Sequence, residues 1–569
     1  MKTTTFTIFL SLLIWASGNA QTLGWVRNTG GTNNEYGSAV AVDNNGNVYI
    51  AGAFEGTVDF DPGSGTYNLS AAGNDDIFIQ KLDAAGNFLW AKSIGSVGWE
   101  DAFGMTIDNA GNVYVTGYFD GSVDFDPGNG YYYLYAQGGG DIFVLKLNSS
   151  GNFVWAERMG GNHFNAGYAI TADNNNNIYV TGLFYETAYF SSDSLIPGLT
   201  SAGDRDVFVA KLNSNGHLIW AKGFGGSNKD YANSIAVDNA GNVYTTGVFN
   251  GTADFDPGTG AYNLTSKGHD DVFVSKLNSS GNLVWAKALG GSLYDMGYSI
   301  AVDNAGSVYT TGFFTDTADF DPGSGTYNLT STGSYEVFVS KLNSSGNFAW
   351  ARKTGGPNSD KGYSVAVDDA GHIYTTGYFN GTASFGQSST TLTSAGGKDI
   401  FIQEFDTTGN IVWAKNFGGS SDDVSWYIST DNAGNIYNLG VFQGLVNFDP
   451  GNGTSNLISS GGYDIFIQKI NMYALGYNST SPSDKNIKMQ LYPNPNKGKF
   501  TLEINGGSAK RQAFQLEIFS TTGALIYSEK FELISSYRKQ IDLENLSKGV
   551  YFLKLRNETG VVNSIFSVD

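Results

Sequence analysis

Apolar and polar residues alternate in short runs of four to seven along most of this chain, and clusters of Gly, Asn, Asp and Ser separate the runs. That period of two, with turn chemistry at each end, predicts many short antiparallel strands and few or no helices. In the stretch around residue 320 the pattern resolves into four strands: Ser299–Asp303, Val308–Gly312, Val337–Leu342 and Phe348–Arg352. The turns Asp303–Ser307 and Asn343–Asn347 carry Gly where the backbone needs a positive φ, so strands one and two, and three and four, form hairpins. The long connection between strands two and three holds a smaller hairpin around Ala318–Gly323 and Tyr327–Leu329.

The pattern repeats. Trp25, Trp90, Trp155, Trp220, Trp285, Trp350 and Trp413 follow one another in five steps of 65 and one of 63. An Asp after a β-branched run keeps the same rhythm (Asp43, Asp108, Asp173, Asp238, Asp303, Asp368, Asp431). So does an acid that opens the third strand (Asp76, Asp141, Asp206, Asp271, Glu336, Asp399, Asp464). Four-stranded antiparallel units at this period predict propeller blades. Ala41, Ala236 and Ala301 on the first strand suit the crowding near an axis, and the Trp of the fourth strand suits the wider gap at the rim. Trp25 stands on a lone fourth strand at the start, whereas the last unit ends at Asp464–Ile470 without one. The leading strand would therefore complete the final blade and remove two open sheet edges. The expected fold is all-β: a seven-bladed β-propeller over 21–471 closed by its N-terminal strand, a linker over 472–488, and a small Ig-like β-sandwich over 489–569.

Residues such as Asp271–Lys287, followed by Gly290-Gly291 and Ile300–Asp303, resemble the bacterial secreted β-propeller repeats called SBBP repeats over roughly 24–471. That resemblance implies the fold and no single chemistry. In the C-terminal segment, Phe500–Ile504, Gln515–Phe519 and Val550–Leu555 alternate as strands. The motif Tyr492-Pro493-Asn494-Pro495 with Gly498 and Phe500, then Ile518–Gly523, Asp542–Leu546 and Lys548–Phe552 with Gly549 and Tyr551, resembles the type A C-terminal sorting domain of the Bacteroidetes type IX secretion system. The resemblance implies the type IX machinery as partner, and release or attachment at the outer-membrane surface. The chain ends Ser564–Asp569 rather than in the basic tail common in that family.

Composition narrows the partners. Residues 1–20 read as a signal peptide, with Lys2, an apolar Phe6–Trp15 and small residues up to Ala20. No later segment is apolar enough to span a bilayer as a helix. A net charge of −21 argues against nucleic acid and anionic lipid. The absence of Cys excludes disulfides and thiol chemistry.

Candidate sites follow from the loops. Glu35, Glu100, Asp230, Asp295, Asp360 and Asp423, with Asn165 as the exception, precede the first strand, and the strand-three acids join them, so one face is expected to be acidic. The small hairpins add the pairs Asp59 and Asp61, Asp124 and Asp126, Asp254 and Asp256, and Asp319 and Asp321, together with Asp449; Tyr189–Ser192 and Ser384–Gln387 lack such a pair. Asp-x-Asp pairs offer oxygen ligands to Ca²⁺, and they also cap Asp-Pro-Gly turns through local N–H bonds without any metal. Asp43 and its equivalents read as turn caps.

The four histidines share no metal-ligand spacing, and no catalytic constellation stands out. Departures from the repeat are Trp99, His163 with Phe164, Tyr131–Tyr133 and Tyr185–Phe190, aromatics suited to stacking on sugars. Three functions are compatible with these residues. The first is a binding or scaffold module contacting a glycan or protein. The second is a secreted carbohydrate-active hydrolase or lyase using face carboxylates. In the third, Leu277–Trp285 resembles the docking repeat of quinone-dependent dehydrogenases.

Overall fold

The structure, a computed structural model, describes residues 20–193, 195–386, 390–451, 453–473, 488–492, 499–505, 512–520, 525–533, 536–543, 549–557 and 560–568. The expected signal peptide up to Asn19, most of the linker, and the motif residues Pro493, Asn494, Pro495 and Gly498 lie outside them. Among the described residues every regular element is a strand. Leu23–Asn471 forms one compact unit, and Met472–Asp569 belongs to a second.

Four antiparallel strands per repeat build the first unit; the first and last repeats stand as separate sheets, and short pairings such as Gly160 with Tyr189 join the repeats between them into larger ones. In the leading repeat, Glu35–Val42, Val48–Phe54, Asp76–Leu82 and Phe88–Ile94 pair in that order. The repeat used for the sequence reading pairs Met296–Val302, Val308–Phe314, Glu336–Leu342 and Phe348–Gly355. These strands run up to three residues past the expected ends, because the flanking acids and glycines also join the ladders. Its small hairpin pairs Thr317–Asp319 with Asn328–Thr330. Middle strands such as Val48–Phe54 and Asp76–Leu82 are buried on both faces. They lie between neighbouring repeats, where apolar side chains from adjacent sheets interdigitate, as the shared cluster of Tyr49, Ile79, Val113 and Phe143 shows.

One backbone hydrogen bond recurs where adjacent repeats meet. The residue opening an inner strand donates its N–H to the residue before the preceding repeat's third strand: Glu100 to Asp75 O, Asp230 to Arg205 O, Asp295 to Asp270 O and Asp423 to Lys398 O. The last and first repeats use the same bond, Glu35 N–H to Tyr463 O at 3.0 Å. The leading strand Ala20–Thr29 pairs with Asp464–Tyr473, the third strand of the last repeat. Trp25, Val48, Ile50, Tyr437 and Ile465 share one apolar cluster.

The rim tryptophans staple the repeats together. Trp90 Nε1 donates to Ser149 O, Trp155 to Ser214 O, Trp285 to Ser344 O and Trp25 to Ala84 O, each reaching the next repeat's turn. Trp413 instead donates to Glu404 of its own repeat. Asp43 caps its turn as expected. Its carboxylate accepts the N–H of Asn45 and Asn47 and the phenol of Tyr49.

The C-terminal unit has a three-stranded sheet (Lys488–Tyr492, Lys499–Asn505, Ser536–Asp542) and a four-stranded one (Leu525–Leu533, Gln512–Ser520, Gly549–Asn557, Gly560–Val568). Both contribute to a core in which Phe500 and Tyr551 of the expected motif are buried with Leu502, Leu516 and Leu553.

Candidate binding site

Every inner strand carries a β-bulge at one position. The register shifts between Gly37 and Ala39, Ala102 and Gly104, Gly167 and Ala169, Ala232 and Ser234, Gly297 and Ser299, Gly362 and Ser364, and Ser425 and Tyr427. A bulge leaves its extra residue without a ladder partner and re-aims the side chain. Small residues on both sides make room for it. The bulged residues are Ser38, Phe103, Tyr168, Asn233, Tyr298, Tyr363 and Trp426, and five of them are aromatic.

Except for Ser38 these residues line a cavity of about 290 Å³ to which the inner strands of all the repeats contribute. Their rings form a nearly continuous wall. Phe103 lies 5.4 Å from Tyr168, Tyr298 lies 5.0 Å from Tyr363, and Tyr363 lies 4.5 Å from Trp426. A second tier packs on the first: Tyr118 stacks on Phe103, Tyr231 meets Tyr168 edge-on, and Phe313 and Tyr378 lie tilted against Tyr298 and Tyr363. The residue after the bulge is Ala39, Gly104, Ala169, Ser234, Ser299 or Ser364, but in the last repeat it is Tyr427. Its hydroxyl donates to Phe103 O at 2.9 Å, reaching from the last repeat to the second.

Charge at the mouth is divided. Near the first two repeats stand Asp75, Asp101 and Glu55. Burial, then Asp101 and Glu55, push Asp75 up to about 6, and burial raises Asp101 although the Tyr118 phenol donates to it. Elsewhere cations join the acids, with Asp270 near Tyr231 and Asp422 paired with Lys398. Lys361 lies over the faces of Phe313 and Tyr335, and burial together with nearby Lys398 lowers its pKa. Arg205 lies over Tyr185 and Tyr231. The wall can therefore stack on a flat apolar ring face, while its rim offers hydrogen-bonding groups of both signs.

The acids expected to form an acidic face are instead buried at the junctions between repeats. Gly226 N–H donates to Asp230, Gly291 N–H to Asp295, Gly356 N–H to Asp360 and Gly419 N–H to Asp423, at 2.6–2.7 Å. The strand-three acids close their own hairpins, as in Ala202 N–H to Asp206 and Lys267 N–H to Asp271. All of these carboxyls are nearly inaccessible to solvent. Burial is the main cause that lifts Glu35, Glu100, Asp230, Asp271 and Asp423 to about 7, and Asp206, Asp295, Asp360 and Asp464 to about 6. The facing acid adds to it, as Asp464 does for Glu35 and Asp206 for Asp230. At the Asn165 junction, the Asn165 amide and Arg158 both donate to Asp141. These groups are engaged with their own turns, although their place before the first and third strands pointed to a loop-bearing face.

The Asp-x-Asp hairpins, considered above as Ca²⁺ ligands, are engaged locally too. Asp59 accepts from Asp61 N–H and Tyr67 N–H, and Asp61 from Gly63 N–H. Asp124 accepts from Asp126 N–H and Tyr132 N–H, and Asp126 from Gly128 N–H. In the fourth repeat Asp254 accepts from Asp256 N–H and Tyr262 N–H, while Asp256 accepts from Gly258 N–H. In the fifth, Asp319 accepts from Asp321 N–H and Tyr327 N–H, while Asp321 accepts from Gly323 N–H. Among the described residues no three His, Asp or Glu side chains gather as a metal site. Asp59, Asp61, Asp124, Asp126, Asp254, Asp256, Asp319 and Asp321 thus all take part in local turn bonds, the metal-free alternative named above. Each carboxylate caps its own turn, and each hairpin brings two acids together without a third.

Of the aromatic candidates, Phe164 packs on Tyr118, His163 pairs with Glu186, and Tyr185 holds Arg205. Trp99 is half-exposed in the turn before the second inner strand and is not part of these contacts. The bulge residues and Tyr427 escaped the sequence reading, although aligning the repeats in columns exposes both.

Residues 490–568 match the family model of the secretion system C-terminal sorting domain. Residues 219–256, 284–312 and 349–385 match that of the β-propeller repeat. The chain carries SBBP-type β-propeller repeats and a type IX C-terminal sorting domain. The sorting domain makes it a secreted or cell-surface protein, and among the described residues no helix is long and apolar enough to cross a membrane.

The chain is similar to an uncharacterized WD repeat-containing protein, L264, of Acanthamoeba polyphaga mimivirus. The two are 25% identical over 534 residues, covering 78% of this chain and 38% of the relative. It is also similar to the regulatory protein FlaEY of Caulobacter vibrioides, 27% identical over 161 residues, covering 28% of this chain and 17% of the relative. The chain thus spans well under half the length of these curated relatives. Among solved structures, dimeric latent PorU from Porphyromonas gingivalis aligns at 10% identity and a TM-score of 0.14, covering 96% of this chain and 34% of that one. A tetra-tandem repeat from the extending region of a large adhesion protein aligns at 11% identity and a TM-score of 0.13, covering 76% and 95%.

Proposed function

We propose that the chain is a seven-bladed β-propeller exported by the type IX machinery of a Bacteroidetes cell, and that it acts there as a non-catalytic module binding a glycan in its axial funnel. The identical last-to-first junction supports a closed ring. The observation that carries the functional reading is the bulge. It recurs in every inner strand and aims Phe103, Tyr168, Tyr298, Tyr363 and Trp426 at one cavity. Packing alone does not ask for aromatic residues there, since Ser38 and Asn233 occupy the same position in other repeats. Sugar rings present apolar C–H faces to such walls and hydroxyls to the polar rim. The bulk of Tyr427 across the cavity favours a chain end or side branch over a threaded polymer.

Glycan-array binding by the mature protein tests the reading. Replacing Tyr363 and Trp426 by Ala is expected to weaken binding at least tenfold while the melting temperature changes little. Unchanged binding by this variant contradicts the proposal, and so does release of products from a polysaccharide panel, which would favour a hydrolase or lyase.

A further inference from the structure

The outward face of the small hairpin in the second repeat departs from its equivalents in one respect. Where the first repeat has Thr66, Asn68 and Ser70, and the repeat containing Trp350 has Thr326, Asn328 and Thr330, the second has Tyr131, Tyr133 and Tyr135. The hairpin itself is unchanged. Asp124 pairs with Tyr133 and Ser122 with Tyr135, just as Asp59 pairs with Asn68 and Thr57 with Ser70. Val123 and Leu134 take the inward positions of Val58 and Leu69. Only the outward residues have become aromatic, so the fold does not require them.

These three rings form a row along the strand. Tyr131 and Tyr133 lie 6.2 Å apart with planes 10° apart, and Tyr133 and Tyr135 lie 6.4 Å apart at 28°. They are 80%, 49% and 63% exposed, an unusual concentration of apolar area on one short edge. None of their hydroxyls bonds another described residue. The row is also held firmly. Tyr132 turns to the other side against Phe153 at 4.8 Å, and its N–H and carbonyl bond Asp124 and Phe125. A ligand would therefore meet a preformed surface, with little left to order on binding.

We infer that Tyr131, Tyr133 and Tyr135 form a second binding surface, separate from the axial funnel, that takes a neutral linear glycan. The chemistry of the edge selects that class. Across the hairpin the row pairs with the polar residues Ser122 and Asp124, where an apolar protein-docking patch would carry aliphatic ones. Consecutive sugar rings lay their C–H faces on consecutive phenyl faces, while the free phenols and Asp124 meet sugar hydroxyls. Asp124 and Asp126, in a chain of net charge −21, repel polyanions.

Affinity electrophoresis of the mature protein through gels containing β-glucan, xylan or galactomannan tests this surface. Wild type is expected to be retarded by at least one of these neutral polymers. The variant Tyr131→Thr, Tyr133→Asn, Tyr135→Ser restores residues that the first repeat already tolerates at these positions, and it should lose at least tenfold in affinity with an unchanged melting temperature. The funnel variant Tyr363→Ala, Trp426→Ala should keep this retardation. Three results overturn the inference: no retardation by any neutral polymer, stronger retardation by polygalacturonate, or equal retardation of the tyrosine variant. In the third case, loss of retardation in the funnel variant alone would leave the axial reading standing.

Discussion

At the scale of single residues, the junction carboxyls decide how this acidic chain stays folded. Glu35, Glu100, Asp230, Asp271, Asp360 and Asp423 each accept N–H bonds from a turn while burial, and then a facing acid, disfavour the charge. The charges around them are few: Lys267 near Asp271 and Asp295, Lys353 on Glu336, Arg158 on Asp141, and the like charges Glu55, Asp120, Asp270 and Asp422. Their pKa values are raised in the fold, so the folded chain binds more protons than the unfolded one between about pH 4 and 7. Their contribution is thus fully present below the unfolded carboxyl range and is lost as pH rises through about 6 to 7. Turn caps such as Asp173, Asp238 and Asp406 shift the other way, and their contribution is lost as pH falls through their lowered values. The melting temperature is accordingly expected to peak near pH 5 and to fall clearly by pH 8, which calorimetry across that range would check. Asp423→Asn should flatten the fall, since Asn165 already serves at the equivalent junction. A melting temperature that climbs from pH 5 to 8 would contradict this picture.

The strands show what a linear pattern can and cannot carry. Alternation, Gly-bearing turns and the Trp period are local or repeated, so the four-strand unit, the Asp43-type caps and the rim position of the tryptophans were all legible. The bulges were not. One unpaired residue does not interrupt an apolar–polar alternation visibly, and what permits it is small neighbours such as Gly297 and Ser299. Burial of the junction acids was hidden for another reason. It depends on a turn from one repeat meeting an acid from another, as where Asp206 and Asp230 both approach Gly225. The rim staples are measurable at this scale. Trp155→Phe removes the Nε1 bond to Ser214 O and is expected to cost about 1–2 kcal/mol in denaturant unfolding. Trp413→Phe, whose staple stays within its own repeat, leaves the link to a neighbouring repeat intact.

Over the whole propeller unit, the axial cavity exists only because the first and last repeats meet. The Glu35–Tyr463 bond and the Ala20–Thr29 strand link the first and last repeats, and the Tyr427 hydroxyl reaches Phe103 of the second repeat across that meeting. The chain contains no Cys, so one engineered pair reports on this closure without interference. A β-carbon at Gly24 would lie 3.1 Å from Lys469 Cγ, which puts a Gly24→Cys, Lys469→Cys pair within reach of a disulfide. Mild oxidation of purified monomer is expected to form that bond nearly completely, with faster migration on non-reducing gels and a raised melting temperature. Two free thiols persisting in a folded monomer would contradict the closed ring, and the funnel with it.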